Sequence, residues 1–219
     1  MESGTELLWI AACVTAVAAV ALSTYGGGRR TQRGWASWRT ALWLAAAGML
    51  LAAVSPRSAW SLVSAQLLML QWPWLTLQGV RRFHARIDWP ADERLDFWVA
   101  GGCALIVLSG PVWPSEGGVG ALTAPLASVV IHSYAASLLV GISLRPEGLT
   151  LRLLGIDLAA VSVVPMAFAL QGQDGRSGLL AMAAATALGA LVMDFTVIAL
   201  ATGLRDAAGV PLRRPSLTR

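Results

Sequence analysis

The feature that most constrains this chain is a series of long apolar runs, each about as long as a helix needs to cross a hydrocarbon core ~30 Å thick at 1.5 Å per residue. Seven such runs can be marked: Leu7–Thr24, Ser37–Val54, Ser58–Val80, Leu95–Val112, Ala121–Leu144, Leu153–Leu170 and Gly178–Leu204. Only 13% of the 219 residues are charged and 56% are hydrophobic, so the runs cannot all be absorbed by one water-facing core. Backbone amides in lipid must be satisfied within their own segment, which turns each run into a helix. The expected fold is all-α: a polytopic bundle of about seven spans. The sixth span contains Pro165, which leaves room for a half-span there. The breaks carry turn formers, including Gly26–Gly27–Gly28, Ser55–Pro56, Pro114 and Gly117, Pro146 and Gly148, and Gly172 and Gly175. No break could hold a separate domain, so residues 1–204 read as one membrane domain and 205–219 as a short basic tail.

Charge orients the bundle. Fourteen arginines fall on one side of the alternating spans, while only Arg57 and Arg176 fall on the other. Basic residues are retained on the cytoplasmic side, so the N-terminus is expected outside and the C-terminus in the cytoplasm. The formal net charge of +4 then divides into about +8 in the cytoplasm, −2 outside and −2 within the spans. The first run has Ala19–Val20–Ala21 near its end, but its leading segment carries Glu2 and Glu6 and no basic residue. An uncleaved helix fits that better than a signal peptide. Trp9, Trp35, Trp38, Trp72, Trp74, Trp89, Trp98 and Trp113 fall near span ends or bends and are expected to be interfacial anchors.

Several chemistries are excluded by inventory. Cys13 and Cys103 both lie in apolar runs, make no disulfide framework and are expected to be small core residues. All 16 basic residues are arginine. Without a lysine, seven helices cannot hold retinal through a Schiff base. The basic balance has a topological explanation, so it does not argue for nucleic acid. No HExxH or G-x-S-x-G motif occurs, and the one other histidine, His84, lies in a cytoplasmic loop, away from any bis-histidine haem. No cofactor or metal site is expected.

Ionisable groups inside a span are expensive and therefore candidates for function. His132 stands near the middle of the fifth span with Tyr134 close by, Asp194 lies in the seventh, and Asp157 lies about one turn inside the sixth. His132 and Asp194 fall at similar depth, so a pairing between them would form an intramembrane polar site between spans 5 and 7; the alternative is that each only packs the bundle and the two never meet. A Ser133–His132–Asp194 triad is disfavoured, because adjacent helical residues point about 100° apart. A small transporter or channel using that site is the competing reading. An intramembrane enzyme acting on lipid has the least support.

The third span ends Gln71-Trp72-Pro73-Trp74-Leu75-Thr76-Leu77-Gln78-Gly79-Val80-Arg81-Arg82-Phe83-His84-Ala85-Arg86. Arg81, Arg82 and Arg86 are expected at the cytoplasmic surface, where each basic group gains about 1 kcal/mol from anionic head groups. This segment resembles the "QWP...L.GLRRF..R" stretch in the membrane-embedded N-terminal sensory region of bacterial diguanylate cyclases of the GGDEF class. The resemblance extends loosely over span number, short loops and a cytoplasmic C-terminus. It implies a bacterial inner-membrane input module that relays a signal to a cytoplasmic output such as a cyclic di-GMP cyclase. Fifteen residues follow Leu204, with no GG[DE]EF motif or phosphate-binding loop, so the chain as given is expected to have no enzymatic activity of its own. The expected partners are the lipid bilayer and an output protein or domain. Small residues such as Ala181–Ala190 suit a homo-oligomer or packing within one chain.

Overall fold

The computed structural model describes residues 2–26, 34–55, 58–83, 89, 91–112, 119–142, 148–170 and 175–209. Among them the chain forms seven α-helices and no strand: α1 Glu2–Gly26, α2 Trp35–Val54, α3 Ala59–Phe83, α4 Glu93–Ser109, α5 Val119–Ile142, α6 Gly148–Leu170 and α7 Gly175–Gly209. A single 3₁₀ turn, Gly110–Val112, ends α4. Among the described residues five stretches are long and apolar enough to cross a membrane: Gly4–Thr24, Trp35–Val54, Glu93–Val112, Leu122–Gly141 and Leu179–Thr196. They lie in α1, α2, α4, α5 and α7, so the chain has the character of a multi-pass membrane protein. α3, which carries Gln66, Gln71, Pro73 and Gln78, is not among the five.

The helices agree with the apolar runs in number and order, and differ at their ends. α6 is continuous over 23 residues, not a half-span, and it starts at Gly148. Asp157 therefore lies nine positions in, roughly 13 Å along the axis at 1.5 Å per residue, and not one turn from the end. α7 runs on to Gly209, through the first part of the expected tail.

Local sequence explains the helix starts. Asp92 caps α4: its backbone is extended, and its side chain accepts from the Arg94 amide. Gly34 precedes α2 at φ 98°, a left-handed conformation that glycine adopts without steric penalty. A Cβ there would also collide with the Gly79 carbonyl of α3.

The packing order is a ring. α1 lies on α2, α2 on α3, α3 on α5, α5 on α6, α6 on α7, and α7 returns to α1. α4 stands outside, against α3 and α5. Its Leu95, Phe97, Trp98 and Leu105 are exposed, as expected for a face bathed in lipid tails.

The tryptophans divide in a way that depth alone does not reveal. Trp9 and Trp98 face outward, whereas Trp35, Trp38 and Trp72, expected as interfacial anchors, are buried core residues. The cause is complementary small groups on neighbouring helices. Trp38 occupies the space that a Cβ on Gly79 would need and donates its Nε1–H to the Thr76 carbonyl at 3.1 Å. Trp35 donates to the Leu22 carbonyl at 3.1 Å, joining α2 to α1. Cys103 is buried as expected, but Cys13 is on the exposed face of α1.

Candidate functional site

Two polar groups of residues lie among the packed helices, and they differ in how well their atoms are satisfied.

The first is built around Asp96, at the start of α4. Gln78 and Arg81 are three positions apart on α3 and so share a face. That face meets α4. The Asp96 carboxylate accepts from Arg81 Nη2 at 2.8 Å and from Tyr134 Oη of α5 at 2.6 Å through Oδ1, and from Gln78 Nε2 at 3.0 Å through Oδ2. Arg81 Nε also lies 2.6 Å from Oδ2, and both side chains are almost wholly buried. The guanidinium is completed by the Ala91 carbonyl at 2.9 Å and by the Trp89 ring, whose centroid is 4.5 Å away. Two buried charges stabilise a fold only when geometry and supporting hydrogen bonds offset their desolvation. Here the carboxylate has partners on α3, α4's own approach is held by the Ala91 carbonyl, and α5 contributes the phenol. The cluster pins α4 against α3 and α5.

This arrangement corrects two expectations. Arg81 does not sit at the surface among head groups: it is 4% exposed and paired. Tyr134 belongs with Asp96 and not with His132, because residues two apart on a helix point about 200° apart. Arg82 is exposed and donates to Ser37 Oγ of α2 at 3.0 Å. Arg86 lies outside the described residues.

The second group surrounds Trp72 in the middle of α3. The His132 ring of α5 lies 5.6 Å from the Trp72 ring, centroid to centroid, tilted by 51°. On another side, Gly189 of α7 lets the indole come against the helix. A Cβ there would stand 2.5 Å from Trp72 Cη2, 3.1 Å from Val161 Cγ2 and 3.2 Å from Asp157 Oδ2. His132 Nδ1 is 2.7 Å from the Ser128 carbonyl and 3.2 Å from Ser128 Oγ, one turn back on α5. A carbonyl only accepts, so Nδ1 carries the proton and Nε2 of the neutral ring is left as an acceptor. In this group three buried atoms have no hydrogen-bond partner among the described residues: Trp72 Nε1, His132 Nε2 and Asp157 Oδ2.

Asp194 is also buried, with Oδ1 unpartnered. It does not meet His132: no hydrogen bond or ion pair joins them, and the imidazole faces Trp72 of α3 instead. Asp194's neighbour Met193 faces α3, where Thr76 Oγ1 lies 3.3 Å from its sulfur. Of the residues singled out by sequence, His132 is thus brought against the Trp72 ring, and Asp157 beside Gly189 where that ring's edge lies. Tyr134 and Arg81 are brought together elsewhere.

Asp96, Gln78 and Trp72 escaped the sequence reading. Asp96 is the second residue of the Leu95–Val112 run, close behind Asp92 and Glu93. The available signal was the Gln78–Arg81 spacing followed, fifteen positions after Arg81, by an acid opening the next apolar run. No family model, characterised protein or solved structure matches the chain.

Proposed function

We propose that the chain is a non-catalytic input module of a bacterial inner membrane, with seven spans, the N-terminus outside and the C-terminus in the cytoplasm. In this reading α3 and α6 complete the set. At 25 and 23 residues both are long enough to cross ~30 Å of hydrocarbon. Their charged or polar positions Gln78, Arg81 and Asp157 turn toward neighbouring helices. The arginine asymmetry supplies the orientation.

The observation that carries the reading is the unpartnered interior around Trp72. A buried polar atom without a partner costs about 1–3 kcal/mol, and three gathered around one indole make a place where binding or protonation would change helix packing. His132 and Asp157 are the receiving groups in this proposal. The Asp96 cluster, close to the proposed cytoplasmic surface, connects α3, α4 and α5 to the side where an output partner or domain would sit. By resemblance of Gln71–Arg86, that output is a cyclic di-GMP cyclase.

A transporter is the second reading, favoured by the unpartnered carboxylate oxygens of Asp157 on α6 and Asp194 on α7. Two measurements separate them. Proteoliposomes loaded with a pH-sensitive dye, and with sodium or potassium reporters, should show no flux for an input module. Cells expressing the chain should show a changed cyclic di-GMP level that His132→Ala abolishes. Ion or proton flux that is lost in Asp194→Asn, with an unchanged cyclic di-GMP level, would sink the input-module reading. Reporter fusions to each terminus test the orientation, with the C-terminal fusion expected in the cytoplasm.

A further inference from the structure

The three unpartnered atoms around Trp72 have a definite chemical complement. Trp72 Nε1 is a donor and never an acceptor, while His132 Nε2 in its Nδ1–H form and an ionised Asp157 Oδ2 are acceptors. A ligand that satisfies all three needs a lone pair for the indole and two hydrogens for the others. An ammonium or metal cation offers nothing to the indole N–H. A carboxylate offers no hydrogen to the imidazole, and a phosphate would bring a negative charge against the Asp157 carboxylate. Water has both, and buried waters typically make about three hydrogen bonds to groups that otherwise have no partner.

We propose that Trp72, His132 and Asp157 hold a buried water, or a short chain of waters, in the middle of the bundle. Trp72 donates to it, and His132 and Asp157 accept from it. The placement follows from the packing: the indole stands 5.6 Å from the imidazole on one side, and on another lies against Gly189, next to Asp157 Oδ2. Trp72 and His132 are 0% and 2% exposed, so any water there is enclosed by protein. Asp157 is only partly buried, although its Oδ2 is covered. The inference rests on reading this interior as the receiving site, and it supplies that site with a mobile ligand through which His132 and Asp157 can exchange a proton.

The structure contains its own control. Trp38 is as buried as Trp72, but its Nε1–H is satisfied by the Thr76 carbonyl. X-ray hydroxyl-radical footprinting of the purified full chain in nanodiscs, read by mass spectrometry, generates radicals at bound water and oxidises the side chains beside it. Trp72 is expected to be oxidised at least about tenfold faster than Trp38, because only Trp72 would hold a water within hydrogen-bond distance. His132→Gln keeps an acceptor at that position and should preserve the labelling, whereas His132→Leu should lower it toward the Trp38 rate. Equal protection of Trp72 and Trp38 in the unmodified chain overturns the proposal even if the leucine variant does not fold. Trp72 labelling that is unchanged in a folded His132→Leu variant overturns the assignment of His132 as a water partner. Footprinting detects water whether or not a signal is relayed. Its failure is therefore separate from failure of the flux and cyclic di-GMP tests.

Discussion

Asp96→Ala is the most informative single change, because it removes the carboxylate on which three residues from two other helices converge. The Arg81 guanidinium would be left inside the protein with the Ala91 carbonyl and the Trp89 face as its remaining partners. Removing one member of a buried ion pair costs about 3–5 kcal/mol. The retained carbonyl and ring contacts put this case near the lower end of that range. Arg81→Met is milder, since Asp96 keeps its Gln78 and Tyr134 donors. The Arg81→Met, Asp96→Ala double variant leaves no unpaired charge. It should lose much less than the sum of the single losses, with a coupling energy on the order of 2–3 kcal/mol. The assay is reversible unfolding in mixed micelles with increasing sodium dodecyl sulfate, monitored by helicity for all four members of the cycle. If each single change costs less than about 1 kcal/mol, as an exposed pair would, the cluster is not a buried staple. Simple additivity would refute the reasoning equally.

Four further outcomes are expected. Tyr134→Phe deletes one hydrogen bond to the Asp96 carboxylate and should destabilise the chain by about 1.5–3 kcal/mol in the same unfolding assay, with the ion pair left in place. Gly79→Ala places a methyl where the Trp38 indole lies, and overpacking of this kind should lower stability by about 1–3 kcal/mol, read as a fall in thermal midpoint. A change at Gly102, where an added Cβ meets nothing within 4 Å, should leave the midpoint unmoved and serves as the matched control. Raising ionic strength from about 0.05 to 0.5 M should not alter the Asp96–Arg81 coupling energy, because the pair is sealed from mobile ions; a coupling that falls with salt would mean that it is solvated.

The number, order and approximate limits of the helices were legible in the sequence, because a membrane requires only an uninterrupted apolar stretch and a local hydrogen-bonding scheme. Both are properties of consecutive residues. The same locality explains the corrected ends: Leu149 and Leu151 carry α6 back through Thr150 and Arg152 to Gly148, and Asp157 stands further from the helix start as a result. The presence of ionisable groups within the apolar runs was also legible, and of His132, Asp157 and Asp194 the first and last are buried. Direction was not. Which face of α5 looks at α3, and which small residue on one helix admits an indole from another, depends on contacts between residues far apart in the chain. Gly79 receives Trp38, and Gly189 lies against the edge of Trp72. Those two contacts made core residues of tryptophans expected at the interface. They also set His132 against Trp72 and not Asp194. Arg81 is the sharpest case. Its charge and position near a span end suit a lipid head group, yet Asp96, Tyr134 and Gln78 converge on one point and hold it inside. Composition and the length of the apolar runs mark this chain as helical with the character of a multi-pass membrane protein; only the docking of its helices decided which of its polar groups are satisfied and which are left for something else to meet.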